Sequence, residues 1–271
     1  MKPILSISVI SAALCLSAAA QNRTWSGNGT DDNWTTAANW EEGTAPVPAG
    51  NVTLSFNGTT TSRRSPNNDF APDSRFFALK NSGAGNFTFT GNRTVLGDAG
   101  GGSTIFETLS GGSHVTLDMD IAINEGAATF NMRGGATING RLTSYITPNP
   151  LLTYSFASGR IAVTNPNNSF GQGVDVSGGA TLVVSQWIDR GLPSQLGAGN
   201  FTKLGNAGAH GTIEYVGPAT STDRTVTLGD NAANATFTGN ATIRNNGSGA
   251  LTFTSGYFNA QTNNTTLSNR T

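Results

Sequence analysis

The chain has 271 residues, with 35 glycines, 11% charged side chains and a formal net charge of −1. That charged fraction is less than half the usual ~25%, which leaves few Glu, Lys and Arg for the exposed faces of long helices and argues against a helical fold. A near-neutral chain also has no basic field to attract nucleic acid or anionic lipid, so neither is expected as a partner.

The length allows one large domain or two smaller ones. Gly, Asn, Thr and Ser dominate, the residues of corners and solvated strand faces. Val, Ile, Leu and Phe recur regularly between them, which argues against disorder.

Residues 1–20 read as a secretory signal peptide. Lys2 gives the positive end, Ile4 to Leu16 the apolar run, and Ala18-Ala19-Ala20 the small residues before a cut ahead of Gln21. The run is too short to span a bilayer, and no later stretch is apolar enough, so no transmembrane segment is expected. Cys15, the one cysteine, falls in this leader. The mature chain therefore has no thiol, disulfide or thiolate metal site. Leu14 before it, in place of a small residue, argues against a lipid anchor.

Residues 21–58 read as an N-terminal cap. Trp25, Trp34 and Trp40 sit among Gly, Asn and Asp, followed by Pro46 and Pro48. Val52, Leu54 and Phe56 then alternate with Thr53 and Ser55, the pattern of a half-buried strand. The exposed end of a stacked fold has to be covered, and a tryptophan-rich plug does so. The same three residues could instead form a sugar-stacking platform.

Residues 59–271 are assigned to repeats. The first stretch, 59–84, is polar and irregular, with Arg63-Arg64 read as an exposed loop in preference to a processing site, and Pro66-Asn67-Asn68. The apolar Phe76-Phe77-Ala78-Leu79 interrupts it. From Gly85 onward short alternating runs follow one another: Phe87 and Phe89, Val115 and Leu117, Phe130 and Met132, Ile138, Ile161 and Val163. Val174 and Val176, Leu182 and Val184, Ile213 and Tyr215, Val226 and Leu228, Phe237, Ile243, and Leu251 and Phe253 continue the series.

Each run offers only two or three side chains to a core, because alternate residues face opposite sides. Winding the chain lays strand on strand at ~4.8 Å, and the inward residues then form continuous columns. Gly and Asn supply the positive φ of the corners. At about 20 to 25 residues per coil, a solenoid spacing, the expectation is an all-β, right-handed parallel β-helix of on the order of ten coils. The same alternation fits an antiparallel β-sandwich with strands every ~8–12 residues.

One stretch carries a resemblance. Asn168-Ser169-Phe170-Gly171, Val174-Asp175-Val176 and Gly179-Ala180-Thr181-Leu182 resemble the autotransporter-associated β-strand repeat, also called the passenger-associated transport repeat. Leu196-Gly197-Ala198-Gly199, Gly211-Thr212-Ile213-Glu214-Tyr215 and Ser221-Thr222-Asp223-Arg224 continue the likeness, which covers 165 to 255 and the tryptophan-rich start. It implies a secreted or surface-exposed β-helical passenger of a Gram-negative bacterium. Such proteins are longer and end in a membrane β-barrel or an anchoring segment. This chain stops at Asn269-Arg270-Thr271 amid repeat-like sequence, which reads as a truncated piece.

The sequence holds few candidates for chemistry. Asp118-Met119-Asp120 places two carboxylates on one strand face about 7 Å apart, a spacing open to Ca²⁺ or acid/base work. The other reading is an outward face, with Leu117, Met119 and Ile121 inward; Lys80 and Lys203, the lysines a lyase would use, are remote in sequence. His114 and His210 have no close pairing for zinc. No Gly-x-Ser-x-Gly elbow occurs, and the run from Gly97 to Gly102 lacks the lysine of a phosphate loop. The many Asn-x-Ser/Thr sequons follow from composition alone. No catalytic, cofactor or metal residue is therefore assigned. The expected function is a non-catalytic structural or adhesive module at the cell surface, with surface glycans or other surface proteins as partners. The alternatives are a polysaccharide-acting β-helix enzyme using Asp118 and Asp120, or a carbohydrate-binding module using Trp25, Trp34 and Trp40.

Overall fold

The computed structural model describes residues 21–57, 62–83, 85–97, 103–109, 111–124, 127–145, 153–205, 209–228, 241–255, 258–260 and 265–269. The expected leader at 1–20, Phe237 and the stretch from Asp98 to Gly102 lie outside them.

The short apolar runs form strands of two residues (Asn67–Asn68) to six (Ala127–Met132). Gly or polar corners break most of them before they can lengthen; Phe77 alone separates Ser74–Phe76 from Ala78–Asn81. Ala78–Asn81 leads into Phe87–Gly91, then Thr94–Leu96, and Ser103–Thr108 returns to lie on Ala78–Asn81. Repetition of this course builds three faces. Face A holds ten strands, from Gln21–Trp25 to Phe258–Ala260, and face B nine, from Asn67–Asn68 to Thr265–Asn269. Face C holds Ser74–Phe76, Thr94–Leu96, Ile121–Ile123 and Leu142–Ser144, and a two-stranded sheet, Thr220–Thr222 with Leu251–Phe253, follows further on.

Every strand pair among the described residues is parallel. A β-sandwich needs antiparallel neighbours, so that alternative falls and the fold is a parallel β-helix. The one helix among the described residues is a single 3₁₀ turn, Ala37–Asn39. Nine steps of ~4.8 Å across face A give a stack roughly 43 Å long.

Two long columns run through the core. On face A, Leu54, Leu79, Phe106, Phe130, Phe156, Val176, Leu204 and Leu228 lie one upon the next. On face B, Phe87, Val115, Ala136, Ile161, Leu182, Ile213 and Ile243 do the same. All are buried, and each large one contributes roughly 1.5–3 kcal/mol. Rings also stack along the axis: Phe106 lies 6.2 Å from Phe130 and nearly parallel to it.

Coil length is less regular than the expected 20–25 residues. Register partners on face A are 20 residues apart from Phe156 to Val176 and 32 apart from Leu228 to Ala260. The corners absorb the difference. At one two-residue corner, Ser158 and Gly159 both take positive φ, 65° and 74°; a Cβ at 159 would run into the Met132 carbonyl, so only glycine fits.

The stretch 59–84, read as irregular, holds a complete coil where described. Asn67–Asn68, Ser74–Phe76 and Ala78–Asn81 occupy faces B, C and A. Phe76 and Leu79 are core residues.

Candidate interaction surface

The three N-terminal tryptophans converge on one ring. Phe56 has Trp25 at 5.9 Å, Trp34 at 6.0 Å and Trp40 at 6.1 Å. All three indoles are buried. The Trp40 Nε1 donates to the Trp34 carbonyl at 2.8 Å, and the Trp25 Nε1 donates to the Arg63 carbonyl at 3.1 Å. No indole face is open to a sugar ring, so the stacking platform is not formed. Arg63 is not a free loop residue either. Its Nε donates to the Gly29 carbonyl at 2.7 Å and its Nη1 meets Asp32 at 3.4 Å.

Asp118 and Asp120 sit at the corner between Val115–Leu117 and Ile121–Ile123, outside both strands. Leu117, Met119 and Ile121 point inward and are buried, as the alternation requires. The carboxylates turn along the stack. Asp118 Oδ1 accepts from Asn139 Nδ2 at 2.7 Å, and Asp120 Oδ1 accepts from the Arg141 backbone N–H at 2.7 Å, with the Arg141 Nε 3.6 Å from Oδ2. Asn139 in turn accepts from Thr164 Oγ1 at 2.6 Å. Polar side chains thus run from corner to corner, and the two acids belong to this ladder.

The other candidates are similarly engaged. Lys80 pairs with Glu107 and Lys203 with Asp175, each at 3.7 Å and on adjacent face A strands. A His114 ring nitrogen is 3.1 Å from Thr137 Oγ1, and one of His210 is 2.9 Å from Thr212 Oγ1. Among the described residues no group of three His, Cys, Asp or Glu is placed to hold a metal ion.

The most elaborate construction is the connection from 185 to 200, between Ala180–Val184 and Phe201–Leu204. Its organiser is Arg224, 1% exposed. The guanidinium Nε donates to the Ile188 carbonyl at 2.7 Å, and Nη2 donates to those of Gly197 at 2.7 Å and Leu192 at 3.2 Å. Nη1 reaches the carbonyls of Gly199 and Leu196. Five fixed N–H donors suit a ring of carbonyls better than any other side chain could. Burial pushes the group down to about 10, with Asp223 and Asp189 opposing the shift, so it stays charged at neutral pH. Gln195 pins the other side: its Oε1 accepts the backbone N–H groups of Ser185 at 2.6 Å and Gln186 at 2.9 Å. Leu192 at the tip is 53% exposed. Both Leu196-Gly197-Ala198-Gly199 and Ser221-Thr222-Asp223-Arg224 stand out in the sequence, but that one encloses the other cannot be read from it.

Face B carries an ion cluster. Glu214, with a side chain 8% exposed, takes Arg160 through two contacts, Nη1–Oε2 at 2.5 Å and Nη2–Oε1 at 3.3 Å. Arg244 is 3.8 Å away, and Asn246 Nδ2 donates at 3.0 Å. The hydrogen bond from Arg160 holds the Glu214 carboxyl below the usual range, against the opposing effect of burial.

Among known proteins, the chain is similar to the protein described as Adhesin BmaC autotransporter of Brucella suis biovar 1 (strain 1330). The two are 28% identical over 217 residues, which is 78% of this chain and 5% of the adhesin. The chain thus spans a small fraction of the length of that relative. No protein-family profile and no solved structure matches the chain, so the repeat resemblance over 165 to 255 rests on its own residues.

Proposed function

We propose that this chain is part of an adhesive passenger exposed on the surface of, or secreted by, a Gram-negative bacterium and exported through its N-terminal leader. The observation that carries the reading is the similarity to an autotransporter adhesin across 217 residues. The parallel stack supports it: a rod of rungs can be lengthened without altering its cross-section, and it holds outward side chains in fixed rows. In this reading the segment 21–58 covers one end of the stack with its tryptophans, and the connection 185–200 is a rigid projection from its side. The polysaccharide-cleaving alternative draws no support from Asp118 and Asp120, since both carboxylates are bonded to the next coil.

The test is adherence. A non-adherent bacterium displaying the chain on its surface should bind epithelial cells or extracellular matrix above the level of the same strain displaying an unrelated β-helix. Equal adherence by the two strains would remove the adhesive reading.

A further inference from the structure

The outer side of face C differs from that of the other faces. Arg75, Val95, Ala122 and Thr143 lie side by side across its four strands. Val95 and Ala122 point away from the core yet are fully buried. The Arg75 guanidinium, 5.8 Å from the centre of the Tyr145 ring, reaches across this apolar stripe from one side and Tyr145 closes it from the other. Three guanidiniums border the stripe. Arg93 is paired with Asp73 at 2.5 Å and Arg141 with Asp120 at 3.6 Å. Arg75 has no carboxylate partner among the described residues; its Nε, like that of Arg141, is buried with no hydrogen-bond acceptor. Tyr145 remains 41% exposed.

We infer that Arg75 and Tyr145 form a subsite for an acidic sugar residue, a uronic acid unit of a polysaccharide; this rests on the adhesive reading and gives it a ligand class. A carboxylate arriving from solvent can accept two charge-assisted hydrogen bonds from the Nη1 and Nη2 end of a guanidinium. The open part of the phenol ring offers the flat apolar surface on which the CH face of a sugar rests. A peptide docks by extending an open strand edge or filling side-chain pockets. Arg75 and Tyr145 lie over the sheet, across its strands, and the apolar residues between them are already covered, so the surface suits a flat ring better than a peptide.

The experiment is titration of the purified full chain with oligogalacturonate, its methyl-esterified form and oligo-glutamate, followed by calorimetry. Oligogalacturonate should bind, and esterification, Arg75→Gln and Tyr145→Ala should each weaken binding about tenfold or more, with Tyr145→Phe close to unchanged. Circular dichroism of each variant shows that the stack is intact. Absence of oligogalacturonate binding, binding unaffected by Arg75→Gln, or equal binding of oligo-glutamate would overturn the subsite. Adherence by the displayed chain without oligogalacturonate binding would sink this inference alone and leave the adhesive function standing.

Discussion

Arg224 donates to the carbonyl of Gly197 at 2.7 Å from a residue 27 positions further along the chain, inside a ring formed by the backbone of the 185–200 connection. Gly197 is at φ 74° and lies against the Phe170 ring, with no room for a Cβ. A charged side chain and a glycine that no other residue could replace therefore fix one loop together.

Arg224→Ala should leave several buried carbonyls without donors and open a cavity, at a cost of about 3–5 kcal/mol. Arg224→Lys should recover only part of this, since an ammonium offers three donors without the planar fork. Urea denaturation measures the loss. Hydrogen exchange should rise first at 188–199, and exchange rising uniformly over the chain would contradict the pinning role.

Stability should fall through Glu214 as the pH drops below about 4.3. Its folded carboxyl lies below its unfolded value, held there chiefly by Arg160. Such a group contributes fully above the unfolded value of ~4.3, and the contribution is lost as pH drops through the folded value. Arg160→Ala should cost about 1 kcal/mol at pH 7, since Arg160 is more than half exposed and screened, and should flatten the acid limb of the stability curve. An unchanged limb in pH-dependent denaturation would remove the pair from the account.

Leu182→Asp and Thr181→Asp probe the face B register at adjacent positions. Leu182 lies between Ile161 and Ile213 in the core column, while Thr181 faces outward beside Arg160. The first should unfold or fray the stack, because a buried unpaired charge has no compensation. The second should stay within ~0.5 kcal/mol. Similar melting shifts in the two would mean the side chains face the other way.

How much could be read from the chain follows from what each residue does. Alternation exposed most of the face B column and half of the face A column, where inward apolar residues interchange with polar ones; it did not single out Leu79, Phe106, Phe156, Leu204 or Ala136. Three other features escaped it for distinct reasons. Asn67–Asn68 carries no apolar signal and is held by side-chain bonds instead, Asn67 Nδ2 to Asn33 Oδ1 at 2.9 Å and Asn68 Nδ2 to the Asn92 carbonyl at 2.8 Å. Val95 and Ala122 are apolar on the outer side because Arg75 and Tyr145 lie over them, a cover contributed from other coils. Arg224 reads as a surface charge until its carbonyl ring is seen.

Trp34→Ala separates packing from sugar contact. Trp34 lies 6.0 Å from Phe56 and 5.8 Å from Phe76, so the substitution should cost about 3–5 kcal/mol. Binding of neutral sugars, followed by glycan array, should not change in the fraction that remains folded. A stable variant that loses a sugar ligand would restore the platform.

Spin-label distances test the winding itself. Thr88, Thr116, Thr137 and Ala162 are successive neighbours across face B, and the same row continues through Val183 and Glu214 to Arg244. Labels at 88 and 162 are three strands apart and should lie about 14 Å apart along the stack; labels at 88 and 244, six strands apart, about 29 Å. Doubling of the separation with doubling of the strand count, each as a narrow distribution, is the expected result. Equal separations for the two pairs would contradict a coiled stack.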